Sequence, residues 1–240
     1  MIAPNSGKSL IIEVDGRKFQ RIPVKTHVIT HQDNIADVLT AYAKDLMEDG
    51  DILFISEKAV SCMQSRAVKM SDIKPRRLAV FLSRHVHKTP HGIGLGIPQT
   101  MEMALQEVGV PRILFAAFIS VIGKVFRRRG WFYNVAGEKA RSIDGPTPNT
   151  LPPYNEYVVL GPINPDQTSK TGAVALGHPV MIVDINDLGG NILGTSDSNM
   201  NRDFFVEVLK DNPLGQSSEQ TPIGIIREII DIKLKPENRP

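Results

Sequence analysis

The first fifty residues carry two clear hydrophobic patterns, one typical of a β-hairpin and one of an amphipathic helix. β-rich runs at 9–14 and 19–24 flank the pair Asp15-Gly16, a common hairpin turn. Beyond the hairpin, Asp33 or Asn34 is placed to cap a helix. The apolar positions of that helix recur at helical spacing: Ile35, Val38, Leu39, Tyr42 and Leu46.

The middle of the chain alternates between apolar runs and broken polar stretches. Residues 52–55 are continuously apolar and predict a buried strand, and the polar residues 56–66 predict a loop after it. The stretches 76–86 and 99–108 have helical patterns. Residues 113–125 are apolar enough for either a strand or a helix, and periodicity does not decide between the two.

The clearest pattern in the second half is a strand that ends in polar residues. Residues 180–183 are all apolar, and Asp184, Asn186 and Asp187 follow them. This predicts a buried strand that presents a carboxylate at its C-terminal end, where sheets with parallel strands often bind ligands. The alternative is an Asx turn, in which the same side chains only satisfy neighbouring backbone groups.

Two further polar loops carry oxygen donors of the kind that a hard cation such as Mg²⁺ prefers. Asp144 lies between Ile143 and Gly145, and the polar loop 215–220 precedes a last predicted strand at 222–227. Each loop alone is equally typical of a solvated turn. If the loops meet with Asp184, they would form one cation site.

Composition and charge exclude several classes of protein. The chain has 240 residues, 41% of them hydrophobic, with 28 Lys and Arg against 26 Asp and Glu. This balance is typical of a globular protein and gives no general attraction to nucleic acid. The single cysteine, Cys62, excludes a disulfide within the chain and a CxxC-type zinc or redox site. The apolar run 113–121 is shorter than the about 20 residues that span a bilayer, and no apolar signal core follows the N-terminus, so we expect a cytoplasmic location.

The segment 124–133 mixes cations, among them Arg127, Arg128 and Arg129, with aromatic residues. Such a segment can stack bases and neutralise phosphates. The near-neutral charge of the whole chain instead favours a solvated hairpin tip whose aromatic side chains return to the core. Binding of an anionic small molecule there is a third interpretation.

Several segments, taken in order, resemble the coenzyme F420-0:L-glutamate ligase (gamma-glutamyl ligase) family. They cover most of the chain apart from about 84–130. Residues 50–66 are similar to the family's opening motif "GDVLVV…QKIVSK-EGR", and Ile143-Asp144 is similar to its motif "NAGID". Three later segments are similar to further motifs: 160–166 to "LLPxDPD", 183–186 to "TDTNGR", and 214–227 to "MGE…IPAVVVRG".

The resemblance implies an α+β fold with mixed sheets and flanking helices, assembled as an intertwined homodimer. It implies one ligase-like domain over 1–240, in which about 84–130 is a possible inserted subdomain. The implied activity is amide ligation: GTP phosphorylates the carboxylate of coenzyme F420-0, and the amine of L-glutamate displaces the phosphate. Mg²⁺ or Mn²⁺ would neutralise the triphosphate. The expected partners are small molecules and a second copy of the chain, with no membrane and no nucleic acid.

The resemblance also assigns roles to particular residues. Asp184 and Asn186 are expected at the catalytic centre, where Asn186 would orient phosphate or metal-bound water. Asp144, Asp184 and Gln216 are the expected metal ligands, although the family commonly has Glu at the last position. The residues expected to contact phosphate or substrate are Lys58, Ser61 and Arg66.

The signature loop departs from the family pattern. Cys62 stands where the family has Lys, Gln64 where it has Glu, and Ser65 where it has Gly. Losing a charged contact to phosphate or carboxylate costs about 1.5–3 kcal/mol, enough to change the substrate. The acceptor therefore need not be coenzyme F420-0. The alternative function is a non-catalytic homologue that binds metal or nucleotide.

Overall fold

The computed structural model describes residues 3–86, 93–126, 130–147, 150–187, 189–216 and 218–230. Within these ranges the strands are β1 Ile11–Val14, β2 Arg17–Val24, β3 Ile52–Ser56, β4 Ala67–Lys69, β5 Tyr157–Val159, β6 Val180–Asn186, β7 Gly189–Thr195 and β8 Ile223–Ile229. The helices are α1 Ile35–Tyr42, α2 Glu57–Met63, α3 Arg77–Ser83, α4 Pro98–Glu107, α5 Val110–Val125, α6 Trp131–Ala136, α7 Glu138–Arg141, α8 Pro165–Leu176 and α9 Arg202–Leu209.

These elements belong to two compact units. The sheet unit comprises Met1–Val28, Asn34–Ser56 and Asn164–Pro240, and the helical unit comprises Ile29–Asp33 and Glu57–Ile163. The segment 84–130 falls inside the helical unit. The single ligase-like domain and the homodimer stay predictions.

The sheet unit contains a six-stranded mixed sheet in the order β1-β2-β8-β3-β6-β7. β3 and β6 pair in parallel, and the other neighbours in the sheet pair antiparallel. The predicted hairpin is β1 and β2, joined at Asp15-Gly16, where both residues have a positive φ. Strands and helices mixed in this way confirm the predicted α+β class.

Both faces of this sheet are covered, which explains why residues 52–55 of β3 and 180–183 of β6 are continuously apolar. On one face, Phe54 and Met181 pack with Val208 of α9. The Phe54 ring lies so close to its neighbour on β8, Gly224, that a Cβ there would be 2.2 Å from the ring. α8 contacts β6 and β7 and packs on α1. The predicted cap of α1 is Asn34, whose side chain accepts a hydrogen bond from the Asp37 N–H at 3.0 Å.

The helical unit surrounds a core of its own. Met101, Leu105 and Ile113, from α4 and α5, are almost fully buried there. β4 and β5 form a two-stranded antiparallel sheet beside them. One face of α5 is therefore buried in this core, through Ile113 and Ala116. The predicted helices at 76–86 and 99–108 are confirmed as α3 and α4.

Three local predictions need correction or completion. The loop predicted at 56–66 is wrong, because α2 starts directly after β3 and buries Ala59, Val60 and Cys62. Good helix formers such as Glu57 and Lys58 make its polar residues compatible with a helix. The sequence does not predict helix α8, since Gly161-Pro162-Ile163-Asn164-Pro165 indicates only a turn. Residues 113–125 are helical.

The hairpin tip predicted at 124–133 is also wrong, because Lys124 lies in α5 and Trp131 begins α6. Arg127, Arg128 and Arg129 lie outside the described residues. Among the described residues no single helix is long and apolar enough to cross a bilayer. α4 and Val110–Lys124 reach that length and composition only as a pair bent by 119°.

A buried ion pair fixes β8 in the sheet unit. Asp51, which is 1% exposed, accepts hydrogen bonds from the Arg227 guanidinium at 2.9 and 2.7 Å. These hydrogen bonds raise the pKa of Arg227. Removing the cation would leave a buried carboxylate without its partner.

We expect Arg227→Met to lower the free energy of unfolding by about 3–5 kcal/mol. The matched control is Arg17→Met, which breaks the exposed pair with Glu228 on neighbouring strands and should cost about 0–1 kcal/mol. Urea denaturation measures both. Equal losses in the two variants would contradict the importance of the Asp51 pair.

Candidate functional site

The structure brings together two residues that the sequence assigns to different roles. The Lys58 ammonium, on α2, forms an ion pair with the Asp144 carboxylate. Their side chains are 40% and 43% exposed, so the pair is open to solvent. A phosphate or a cation could therefore reach either group, provided that it competes with the partner already there.

The backbone of Asp144 is fixed by β5. Its N–H donates to the Val159 carbonyl at 2.8 Å, and its carbonyl accepts from the Val159 N–H at 2.9 Å. This isolated antiparallel bridge holds the carboxylate on a rigid segment inside an otherwise turn-rich stretch. The sequence indicates Asp144, but its pairing with β5 is decided by the tertiary structure.

Gly161 allows the chain to pass close to α2. A Cβ at this position would lie 2.6 Å from the Ser142 Cβ and 3.3 Å from the Glu57 Oε1 atom. Any larger residue would push these neighbours apart. Gly161 is thus required by close packing beside Lys58 and Asp144, a role that the sequence motif alone did not reveal.

Arg66 is held by protein groups. Its Nε donates to the Gly161 carbonyl at 2.9 Å, and its terminal nitrogen lies 2.9 Å from Glu107 at the end of α4. Lys139 is 3.4 Å from the same carboxylate. Burial works against ionisation, but the hydrogen bond and charge of Arg66 outweigh it and lower the pKa of Glu107. Arg66 therefore links two parts of the helical unit, and its predicted contact with substrate stays a prediction.

Ser61 and Cys62 are buried residues of α2. Both are almost fully buried, and within the described residues the Ser61 hydroxyl has no hydrogen-bond partner. Burial raises the pKa of the Cys62 thiol despite its hydrogen bond with Tyr154. A protonated, enclosed thiol is a poor nucleophile.

Gln64 explains one departure from the family pattern. Its amide donates to the Ile163 carbonyl at 3.0 Å and accepts from the Ile163 N–H at 2.6 Å. A carboxylate can accept but cannot donate. Gln at this position therefore satisfies both backbone groups, whereas Glu would satisfy only one of them.

In the sheet unit, Asp184 and Asn186 lie where β6 extends beyond its parallel neighbour. β3 pairs with β6 as far as Ser56 opposite Val183, and beyond that point β6 pairs only with β7. The strand changes there from buried to partly exposed residues. The predicted strand with a carboxylate at its C-terminal end is present. Asp187, in the turn that follows, pairs with Lys8 at 2.5 Å.

Gln216 is exposed in the loop before β8, also in the sheet unit. Gly215 beside it has a φ of +78°, and its backbone lies against Glu219: a Cβ there would be 2.6 Å from the Glu219 carboxyl carbon. The loop therefore folds a carboxylate back toward Gln216. Sequence reasoning noted the loop but did not single out Glu219.

The expected metal ligands come from both units, Asp144 from the helical unit and Asp184 and Gln216 from the sheet unit. Each of these side chains offers an oxygen atom as a ligand, and oxygen is the ligand atom that Mg²⁺ and Mn²⁺ prefer. In the part of the chain that the structure describes, no group of three or more His, Cys, Asp and Glu side chains is arranged to hold a metal. The three-residue ligand set stays a prediction.

Glu107 gives the helical unit a defined response to acid. Because its pKa is below the ordinary value of 4.5, the ionised carboxylate stabilises the fold above about pH 4.5 and loses that effect as the pH falls through the lowered pKa. We expect Glu107→Gln to cost about 1–3 kcal/mol at pH 7 and much less at pH 3.

Thermal denaturation as a function of pH measures this difference. The control is Glu138→Gln, which removes an exposed carboxylate paired with Arg141 on the same helix and should change stability little at either pH. A constant difference between Glu107→Gln and the unmodified chain at both pH values would contradict the ion-pair explanation.

Comparison with known proteins supplies the remaining evidence on function. A family model described as F420-0:Gamma-glutamyl ligase matches residues 23–205 of the 240. The match includes 84–130, which the sequence resemblance left unassigned, and ends before Gln216. No curated protein matches the chain.

Proposed function

Because this chain belongs to the F420-0:gamma-glutamyl ligase family, we propose that it is a ligase that joins L-glutamate to an anionic acceptor such as coenzyme F420-0. In this reaction the γ-phosphoryl group of GTP passes to an acceptor carboxylate, and GDP leaves. The amine of L-glutamate then attacks the acyl carbon, the amide bond forms, and phosphate leaves as the amine loses a proton. The proposal rests on the family match over residues 23–205.

Lys58 is the residue that we assign to nucleotide phosphate. Its ammonium is on the first turn of α2, and its side chain is 40% exposed. Exchange of the Asp144 carboxylate for a phosphate oxygen keeps the ammonium paired and leaves the carboxylate available to a cation.

Asp144, Asp184 and Gln216 would hold Mg²⁺ or Mn²⁺, and Glu219 is a further oxygen donor beside Gln216. The cation would neutralise the triphosphate and polarise the γ-phosphoryl group. Since Lys58 occupies the Asp144 carboxylate, the ammonium has to move away before a cation can take its place. Movement of Lys58 toward phosphate would release Asp144 at the same time.

Asp184 and Asn186 would act from a rigid support. Val180, Met181, Ile182 and Val183 anchor β6 in the core, so the side chains that follow need little ordering when substrate binds. We assign Asp184 to the catalytic centre and Asn186 to the orientation of phosphate or water. Their position at the end of a buried strand supports this assignment.

We expect Asp184→Asn to lower acceptor-dependent turnover by about 100-fold or more while leaving the fold intact, because it removes a charged ligand of the proposed cation. The matched control is Asp187→Asn, three residues further along, whose carboxylate pairs with Lys8. Phosphate release from GTP with L-glutamate and coenzyme F420-0 measures turnover. Full activity in Asp184→Asn would refute the catalytic assignment.

We expect Lys58→Met to raise the KM for GTP about tenfold or more, because a charged contact to phosphate is lost. The stability of this variant should change by less than about 1 kcal/mol, since the pair is half-exposed. Lys69→Met is the control, because Lys69 forms only an exposed pair with Glu156 in the same unit. An unchanged KM would contradict the role of Lys58.

The non-catalytic alternative makes a different prediction for the same assay. A homologue that only binds would take up GTP, measured by calorimetry, without releasing phosphate in the presence of L-glutamate and any acidic acceptor. That result would replace the ligase proposal with a nucleotide-binding role.

A further inference from the structure

Helix α5 has an apolar face that the rest of the described chain leaves uncovered. Its inner face is buried in the helical unit through Ile113 and Ala116. The outer face exposes large side chains spaced one turn apart, so that they form one continuous stripe. The exposed residues are Leu114 (43%), Phe115 (56%), Phe118 (61%) and Val121 (60%).

A stripe of this kind is uncommon on a surface that only meets water. Single exposed apolar residues are normal, but contiguous ones mark an interaction site. Val174 of α8 is an example of the first kind: it is 87% exposed, yet its near neighbours on that helix are polar or small. The face of α5 is of the second kind.

The charged residues in the sequence around α5 have one sign. From 108 to 137 the sequence contains five Lys and Arg residues and no Asp or Glu. Lys124 lies exposed near the C-terminal end of α5, and Arg112 lies exposed near the other end, where its Nε donates to the Val135 carbonyl at 2.8 Å. The nearest carboxylates along the chain are bound by cations: Glu107 by Arg66, and Glu138 by Arg141.

The length of α5 indicates a surface contact. Its 16 residues extend about 24 Å, less than the about 30 Å of a hydrocarbon core. Its inner face is already committed to the protein core. The helix can therefore bury only its outer stripe, to the depth of one layer of side chains.

We propose that this face of α5 docks on an anionic lipid surface. The four apolar side chains enter the boundary between headgroups and acyl chains, and Arg112 and Lys124 contact lipid phosphates. The contact is peripheral and goes beyond the proposed ligase activity. It departs from the sequence-based expectation of no membrane partner, but it requires no membrane-spanning segment.

Charge and side-chain type favour lipid over other occupants. A second copy docked through the same face would bring the basic ends of two α5 helices together with no carboxylate between them. Single-stranded nucleic acid could stack bases on Phe115 and Phe118, but Leu114 and Val121 offer no ring and would stay uncovered beside it. An anionic bilayer matches both the apolar stripe and the cations.

The test is co-sedimentation of the full chain with vesicles. We expect binding to vesicles of phosphatidylglycerol and phosphatidylcholine, much weaker binding to phosphatidylcholine alone, and a decline as salt is raised. Phe118→Glu should reduce partitioning about tenfold or more. Val174→Glu is the matched control, since it places the same charge at an exposed apolar position outside the stripe and should bind normally.

Lys124→Gln provides a second variant that leaves the stripe itself unchanged, and it should weaken binding only to the anionic vesicles. The proposal would be overturned if the wild-type chain failed to bind anionic vesicles at low salt. It would also be overturned if Phe118→Glu bound them as well as the wild-type chain does. Sedimentation equilibrium that shows a dimer broken by Phe118→Glu would assign the face to a second copy. Tighter binding to single-stranded RNA than to vesicles would assign it to nucleic acid.

Discussion

The parallel pairing of β3 with β6 is the constraint on which the sheet unit depends. It joins residues 53–56 to 180–183, which are far apart in the chain, and it forms because the apolar residues 53–55 and 180–183 are covered on both faces. The Phe54 ring packs against Gly224 and so holds β8 in the same core. Since β3 stops opposite Val183, the residues of β6 that follow emerge from the core. Asp184 owes its position to this register.

The helical unit positions its candidate groups in another way, through ion pairs and short backbone bridges. Lys58 with Asp144, and Arg66 with Glu107, balance charge inside the unit without any ligand. Anionic substrates and cations therefore have to exchange with existing partners. The exposed pair can exchange easily, whereas the Arg66 pair is mostly shielded from water and acts as a structural link. This difference in exposure separates a residue suited to binding from one suited to support.

Helix α5 gives the same unit a second kind of surface. Its outer face has no pairing of charges and no polar side chain in the stripe, unlike the surroundings of Lys58. The two surfaces thus differ in the physical interaction that they offer: exchange of ion pairs in one case, and burial of apolar area against an anionic layer in the other. A ligase that acts on a charged small molecule requires only the first.

The sequence by itself determined the elements whose signal is local. The Asp15-Gly16 hairpin, the capped helix after Asn34 and the strand before Asp184 each follow from a few neighbouring residues, and the resemblance to a ligase family followed from short ordered motifs. Only the tertiary structure decided that 56–66 contains a helix, because burial of Ala59 and Cys62 depends on distant residues. It also decided the pairing of Lys58 with Asp144 and which side of α5 is exposed. Contacts between remote parts of a chain cannot be predicted from the hydrophobic periodicity of either part, because that periodicity depends only on neighbouring residues.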